Sequence, residues 1–301
     1  MLSTEYLPVE LGVKIFRLLP INQVNSLFTV NKYFLDICEL SKKYWFYRIN
    51  SNNWKYFKAH VSNESTIVKY VKILMLGQMS FDLHKFINLK HLHITDKSIT
   101  DNDIQKLTQL NSLYLSYNKH VTNNGIMPLT KLTSLSIAGC INVDKINMTN
   151  LTALCITGTN IKDNDICNLT KLQQLTINKH ITNNGIRNLT NLRRLTLSSN
   201  KHIDVTGLIC LSKLTFIGIH NNFDISNLQH LKKLTTLQLF DHQVISQISG
   251  IELLPQVQKI YVMSLCNWKL TDVDEIIINL NKLSFYCDID KDLNMLTCRK
   301  L

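Results

Sequence analysis

The sequence predicts an α/β chain: a solenoid of short parallel strands preceded by a small all-α module. Three observations lead there. From about residue 67 the pattern Leu-x-x-Leu-x-Leu/Ile returns at steps of 19 to 23 residues, a period that marks a solenoid. Before it, residues 7–49 carry large apolar side chains at three- and four-residue steps, the spacing of amphipathic helices. With only 4 Pro and 9 Gly in 301 residues, no flexible linker stands out between the two patterns. The expected organisation is a helical module at 1–50, a connector at 51–66 and a solenoid at 67–301 with degenerate end repeats.

In the first segment Leu11, Ile15, Leu18 and Leu19 form one helical stripe, with Pro8 at its first turn and Pro20 just past its end. Val24, Leu27 and Phe28 mark a second stripe. Val30, Phe34, Ile37 and Cys38 mark a third, which Trp45 and Ile49 close. A core of some forty residues is small for so many large apolar groups, so part of this surface is expected to be covered by a partner. Leu7-Pro8-x-Glu10-Leu11, Ile15-Phe16-x-x-Leu19-Pro20, Leu27-x-x-Val30-x-x-x-Phe34 and Trp45-x-x-x-Ile49 together resemble the F-box family. That resemblance implies a three-helix module docking on the Skp adaptor of a cullin-based ubiquitin ligase. Leu7, Pro8, Leu11, Ile15, Phe16 and Leu19 would then face the adaptor, with Val30, Phe34 and Trp45 packed inside. Read without the resemblance, the segment is a helical cap on the solenoid.

The repeats start at Leu89, Leu110, Leu132, Leu151, Leu172, Leu192, Leu214, Leu234 and Val257, with an imperfect unit around Val68, Val71 and Ile73 before them and a degenerate one near Leu283 after. Leu110-x-x-Leu113-x-Leu115-x-x-Asn118 resembles the leucine-rich repeat in full. Asn200 and Asn222 fill its Asn position and Cys140 its Cys variant. Lys97, Thr159 and His242 at that place are expected to interrupt any side-chain ladder. Each unit offers a strand whose Leu residues point inward, and only stacking buries them. Its second half carries Ile104 and Leu107, or Ile126 and Leu129, at helical spacing, and Thr100-x-x-Asp103 has the form of a capping box with Asp in place of Glu. A block is duplicated: residues 118–126, Asn-Lys-His-Val-Thr-Asn-Asn-Gly-Ile, recur at 178–186 with one Val→Ile change, two residues being lost after Ile177. This leaves the strand register past Ile177 open.

Alternation places the third, fifth and seventh position of each unit on the concave face. There the chain puts His91, His93, Ser112, Tyr114 and Ser116, then the small Ser134, Ser136, Ala138, Ala153 and Cys155, and finally Arg194, Phe216, His220, Phe240, Tyr261 and Met263, with no Asp or Glu. Exposed aromatics beside a cation suit the anchor chemistry of protein interfaces. Tyr114, Arg194, Phe216, His220, Phe240 and Tyr261 are therefore the candidate target-binding residues.

The net charge of +11 is spread over loop lysines such as Lys131, Lys171, Lys213 and Lys233, without a dense basic run. None of the eight cysteines forms a C-x-x-C pair, which suggests unpaired thiols in a reducing, cytoplasmic setting, the nucleus remaining open. No secretory signal or membrane span is expected. His180 and His202 on neighbouring turns lack a Cys or carboxylate to complete a metal site, and no phosphate-binding or nucleophile motif occurs, so no metal, cofactor or catalytic residue is expected. The composite resemblance implies a non-catalytic substrate receptor of a Skp-cullin-F-box ligase, with an unknown target protein on the solenoid. The alternatives are a non-degradative scaffold or inhibitor occupying Skp and, last, a basic nucleic-acid-binding solenoid. The Asn-, Lys- and Ile-rich wording resembles proteins of AT-rich genomes, such as those of giant viruses and some protists.

Overall fold

The computed structural model describes residues 48–50, 71–77, 82–220, 223–240, 250–263, 270–290 and 295–301. The F-box-like residues Leu7, Pro8, Leu11, Ile15, Phe16 and Leu19 lie outside the described residues, as do the connector 51–66 and the ladder positions Asn222 and His242. The chain divides into two compact units, Met1–Leu132 and Thr133–Leu301.

In the first unit, strands β1 (Arg48–Asn50), β2 (Ile73–Leu76), β3 (His91–Ile94) and β4 (Ser112–Ser116) pair in parallel, in that order. The imperfect repeat around Val71 and Ile73 is thus a genuine strand unit. Residues 48–50, expected to end the helical module, instead form a strand that pairs along the edge of β2; such pairing satisfies backbone groups that an open edge would leave exposed. One-turn helices α1 (Asp101–Ile104) and α2 (Asn123–Ile126) follow β3 and β4.

The second unit continues the rule with β5 (Ser134–Ala138), β6 (Ala153–Cys155), β7 (Gln174–Ile177), β8 (Arg194–Leu197), β9 (Phe216–Ile219), β10 (Thr236–Phe240) and β11 (Lys259–Met263), all parallel neighbours. Helical turns α3 (Asp163–Ile166), α4 (Asn183–Ile186) and α5 (Val205–Leu208) lie between strands. The register left open past Ile177 is regular, with Ile177 opposite Leu197. In both units every repeat from Leu89 to Val262 buries all three members of its Leu-x-x-Leu-x-Leu set, and the Ile/Leu pairs of the second half-repeat are buried against them. This is leucine-rich-repeat architecture, established by strand register and core.

A polar ladder ties neighbouring repeats. Asn118, fully buried, donates from Nδ2 to the Ile99 carbonyl at 2.8 Å and accepts at Oδ1 from the His120 and Val121 amides, both at 2.8 Å. Asn200 donates to the carbonyls of Asn178 and Ile181 at 2.6 and 2.7 Å. Asn178, which the sequence pattern did not place at this position, does the same toward Ile161 at 3.0 Å. At Thr159 the ladder is kept on one side only: its buried hydroxyl accepts from Asn178 Nδ2 at 3.2 Å but donates to the Ile156 carbonyl of its own repeat at 2.8 Å. Preceding the ladder position, Tyr117, Gly139, Gly158 and Ser199 all adopt positive φ, between 49° and 73°. The unit ending Ile177-Asn178 lacks both that residue and the one before it, which is the two-residue deletion that conceals Asn178.

The duplicated block forms a second tie, at the helix starts. Asp101 accepts from the Thr122 amide and hydroxyl at 2.7 and 2.6 Å, and Asp163 accepts from Thr182 in the same way. Gly125 and Gly185 lie against these links: a Cβ at either would collide with Oδ1 of Asp101 or Asp163. Asp103 accepts from the Thr100 amide at 2.8 Å, as the capping pattern predicts, and Asp165 holds the Lys162 amide at 3.0 Å.

The C-terminal end departs from expectation. Instead of a degenerate repeat near Leu283, helix α6 (Leu270–Lys282) leads into β12 (Phe285–Asp290) and β13 (Met295–Lys300), an antiparallel hairpin. β13 pairs antiparallel with β11, so the local order is β11-β13-β12. A solenoid end needs a cap over its last core layer. Here Ile276, Leu280, Phe285, Leu296 and Cys298 are the buried apolar residues of that cap. Cys287 and Cys298 are direct cross-strand partners, 11 residues apart in sequence, and are joined as a disulfide. The reading of all eight cysteines as unpaired thiols is corrected at this pair; antiparallel pairing brings the two Cβ atoms onto one face, which no sequence spacing signals. Cys155, Cys167 and Cys210 carry thiols.

Candidate functional site

Because each strand alternates, the register sets the open face of the sheet, opposite the buried leucines, residue by residue. In the second unit one row runs Ser134, Ala153, Gln174, Arg194, Phe216, Thr236, Lys259, Arg299, Tyr286. The next runs Ser136, Cys155, Thr176, Thr196, Gly218, Gln238, Tyr261, Thr297, Asp288. A third contains Phe240, Met263, Met295 and Asp290. The expected alternation is thus observed. The hairpin adds residues that sequence periodicity missed: Met295, Thr297 and Arg299, and two acids, Asp288 and Asp290, at the rim of a face that among the described residues of these rows holds no other acid. Only the antiparallel turn of the chain brings them there.

The candidate residues divide into separate groups. Tyr114 belongs to the first unit, where it is 36% exposed and its ring lies 4.0 Å from that of His93. Burial holds the His93 imidazole below its ordinary pKa, favouring the neutral ring. In the second unit the Arg194 guanidinium lies 3.8 Å over the Phe216 ring. Phe216 is therefore only 6% exposed, a correction to its reading as an exposed anchor. Further along the same face Gly218 sits close to Thr196, where a Cβ would come within 3.1 Å of Cγ2, and all four residues of β9 are buried. His220 and Phe240 stack with ring centroids 3.5 Å apart and planes at 15°, both half-buried. Tyr261 is half-buried beside Lys259.

Arg194, Phe216, Thr236, Gln238, Lys259, Tyr261 and Met295 line an open depression of about 430 Å³. The structure thus brings three of the six candidate residues, Arg194, Phe216 and Tyr261, into one hollow. A larger depression of about 630 Å³ lies among loops and includes Asp144, Asp165 and His180. Asp165 there already holds a backbone amide, and among the described residues no three His, Cys, Asp or Glu side chains converge as metal ligands.

The loop lysines are engaged between repeats. Lys131 donates to Gln109 at 2.8 Å, Lys171 to Asn150 at 2.7 Å and Lys213 to Asn191 at 2.6 Å. Lys131, Lys171 and Lys213, three of the loop lysines noted in the sequence, therefore serve the repeat stack itself. Among the described residues no helix is long and apolar enough to cross a membrane.

No protein-family model matches the chain, and no curated protein matches it. Solved structures do. An internalin, InlF of Listeria monocytogenes, is similar over 71% of this chain and 73% of its own, at 24% identity and a TM-score of 0.49. The functional domain of InlJ from the same species, which includes a cysteine ladder, is similar over 67% of this chain and 50% of that one, at 20% identity and a TM-score of 0.40. A chain of the Drosophila Toll–Spatzle complex is similar over 57% and 28%, at 14% identity and a TM-score of 0.43.

Proposed function

We propose that this chain is a non-catalytic adaptor whose repeat sheet holds a target protein on its open face. The observation that supports this reading most is the composition of that face. Its strand positions are small and polar over β5 and β6, then aromatic and cationic from β8 to β11 around a 430 Å³ hollow. Large aromatic side chains next to an arginine concentrate binding energy at protein interfaces.

The finer reading is that residues 1–50 dock on the Skp adaptor of a cullin-based ubiquitin ligase in the cytoplasm, through Leu7, Pro8, Leu11, Ile15, Phe16 and Leu19. The sequence pattern of that segment supports it. Target modification would then gain from effective concentration and orientation, not from groups on this chain. The test is co-purification of the full chain with a eukaryotic Skp adaptor. Leu11→Glu with Phe16→Glu should abolish the complex and leave target capture intact; a full chain that ignores Skp removes the ligase role. Ubiquitination of a captured target in a reconstituted ligase separates a degradative receptor from a scaffold that merely occupies Skp.

A further inference from the structure

We infer that the face between β8 and β13 recognises an acidic, extended segment of its partner, of the form acidic-x-apolar-x-acidic. This rests on the reading of the face as a protein-binding surface and names the chemistry it selects.

Lys259 on β11 is the direct cross-strand partner of Arg299 on β13, and both are exposed. Like charges placed opposite each other weaken an antiparallel pair. An anion seated over the two removes that repulsion, so this is a point where ligand charge lowers the energy of the sheet itself. The second cationic point is Arg194. Its guanidinium lies flat on Phe216, which holds its orientation before any ligand arrives. A fixed guanidinium offers a carboxylate paired N–H donors that a mobile lysine cannot. Between the two points the half-buried Thr236, Gln238 and Tyr261, with the buried Phe216 ring beneath Arg194, line the hollow and are all uncharged.

The geometry sets the spacing. Arg194 and Lys259 stand in one row, three strands apart, which is about 14 Å at the usual strand separation. An extended peptide crossing the strands covers that distance in about four residues. Positions i, i+2 and i+4 then point the same way. Acids at i and i+4 meet the cationic points, and an apolar residue at i+2 rests on the floor of the hollow.

A nucleic acid fits less well. Lys131, Lys171 and Lys213 are donors to the preceding repeat, and Asp288 and Asp290 stand on the open face beyond Arg299. A phosphate backbone lying across the hairpin end of the sheet would meet these two acids in the rows beside Arg299, where it needs cations.

The test is isothermal titration of the full chain with a nine-residue peptide carrying glutamates at positions 3 and 7 and leucine at 5. A glutamine counterpart, a lysine counterpart and an oligouridylate are run beside it. The glutamate peptide should bind at least tenfold tighter than its glutamine counterpart, and weaken as salt rises. Arg194→Gln and Lys259→Gln should each remove most of that preference, and Lys131→Gln should leave it unchanged. Arg194→Glu with Lys259→Glu should transfer the preference to the lysine peptide, a result that a misfolded variant cannot produce. No binding of the glutamate peptide, or tighter binding of oligouridylate through the same residues, overturns the proposal. Equal binding of the glutamate and glutamine peptides, lost in Phe240→Ala, overturns the acidic specificity while leaving the protein-binding face standing.

Discussion

Strands β5–β6 and strands β8–β11 share one core and differ on their open faces. Leu135, Leu154, Leu195, Leu237 and Ile260 are all buried at the same unit position. Facing outward, the first pair of strands shows Ser134, Ser136, Ala153 and Cys155, while the second group shows Arg194, Phe216, Phe240 and Tyr261. The inward residues supply most of what holds the frame, which leaves the exposed and half-buried outward ones available for recognition. The largest test breaks the frame: Leu154→Ala and Leu195→Ala should each cost about 2–5 kcal/mol in denaturant unfolding, to a similar extent in the two regions. A large disparity would mean that the regions do not share a common core.

On the open face the effects should diverge. Phe216→Ala, which removes a ring enclosed by Arg194 and its own strand, should destabilise by about 3 kcal/mol. Cys155→Ala should cost under about 1 kcal/mol in the same melt. Asn178→Ala tests the ladder between the two regions. It strips a buried carbonyl at Ile161 and a buried hydroxyl at Thr159 of a donor, with an expected loss of about 1–3 kcal/mol. Arg194→Gln should lower stability by only about 0.5–1 kcal/mol, the scale of its contact with Phe216, while its effect on partner binding is much larger. The smallest effect is on pH dependence. Asp204, exposed, is held below its ordinary value of 3.8, first by the Thr206 hydroxyl and then by the Thr206 amide. Its depressed pKa contributes stability that is present above 3.8 and lost as pH falls through the folded-state value. Asp204→Asn should slightly flatten the acid side of a stability–pH curve.

Most of the frame could be read in the primary structure. The leucine pattern located nine strands and, through alternation, the side chains on their open face, while the register past Ile177 was settled only by the pairing of Ile177 with Leu197. The capping pattern at Thr100 and Asp103 was equally legible. Asn178 was not, because the deletion of one strand-end pair of residues moved it out of phase with Asn118. The duplicated Asp-Asn-Asp and Asn-Asn-Gly segments could be seen as copies, but not as the two halves of a tie between adjacent turns.

The amino-acid sequence by itself determined what depends on near neighbours: strand positions, inward leucines, one-turn helix starts and the identity of side chains facing out. These follow from backbone periodicity, which a short window of residues already contains. The tertiary structure alone decided the burial of Phe216 beneath Arg194, the antiparallel hairpin that places Arg299 beside Lys259, and the union of Cys287 with Cys298. Each of these depends on which distant segments pair and in which direction, and the sequence carries no local signal for that choice.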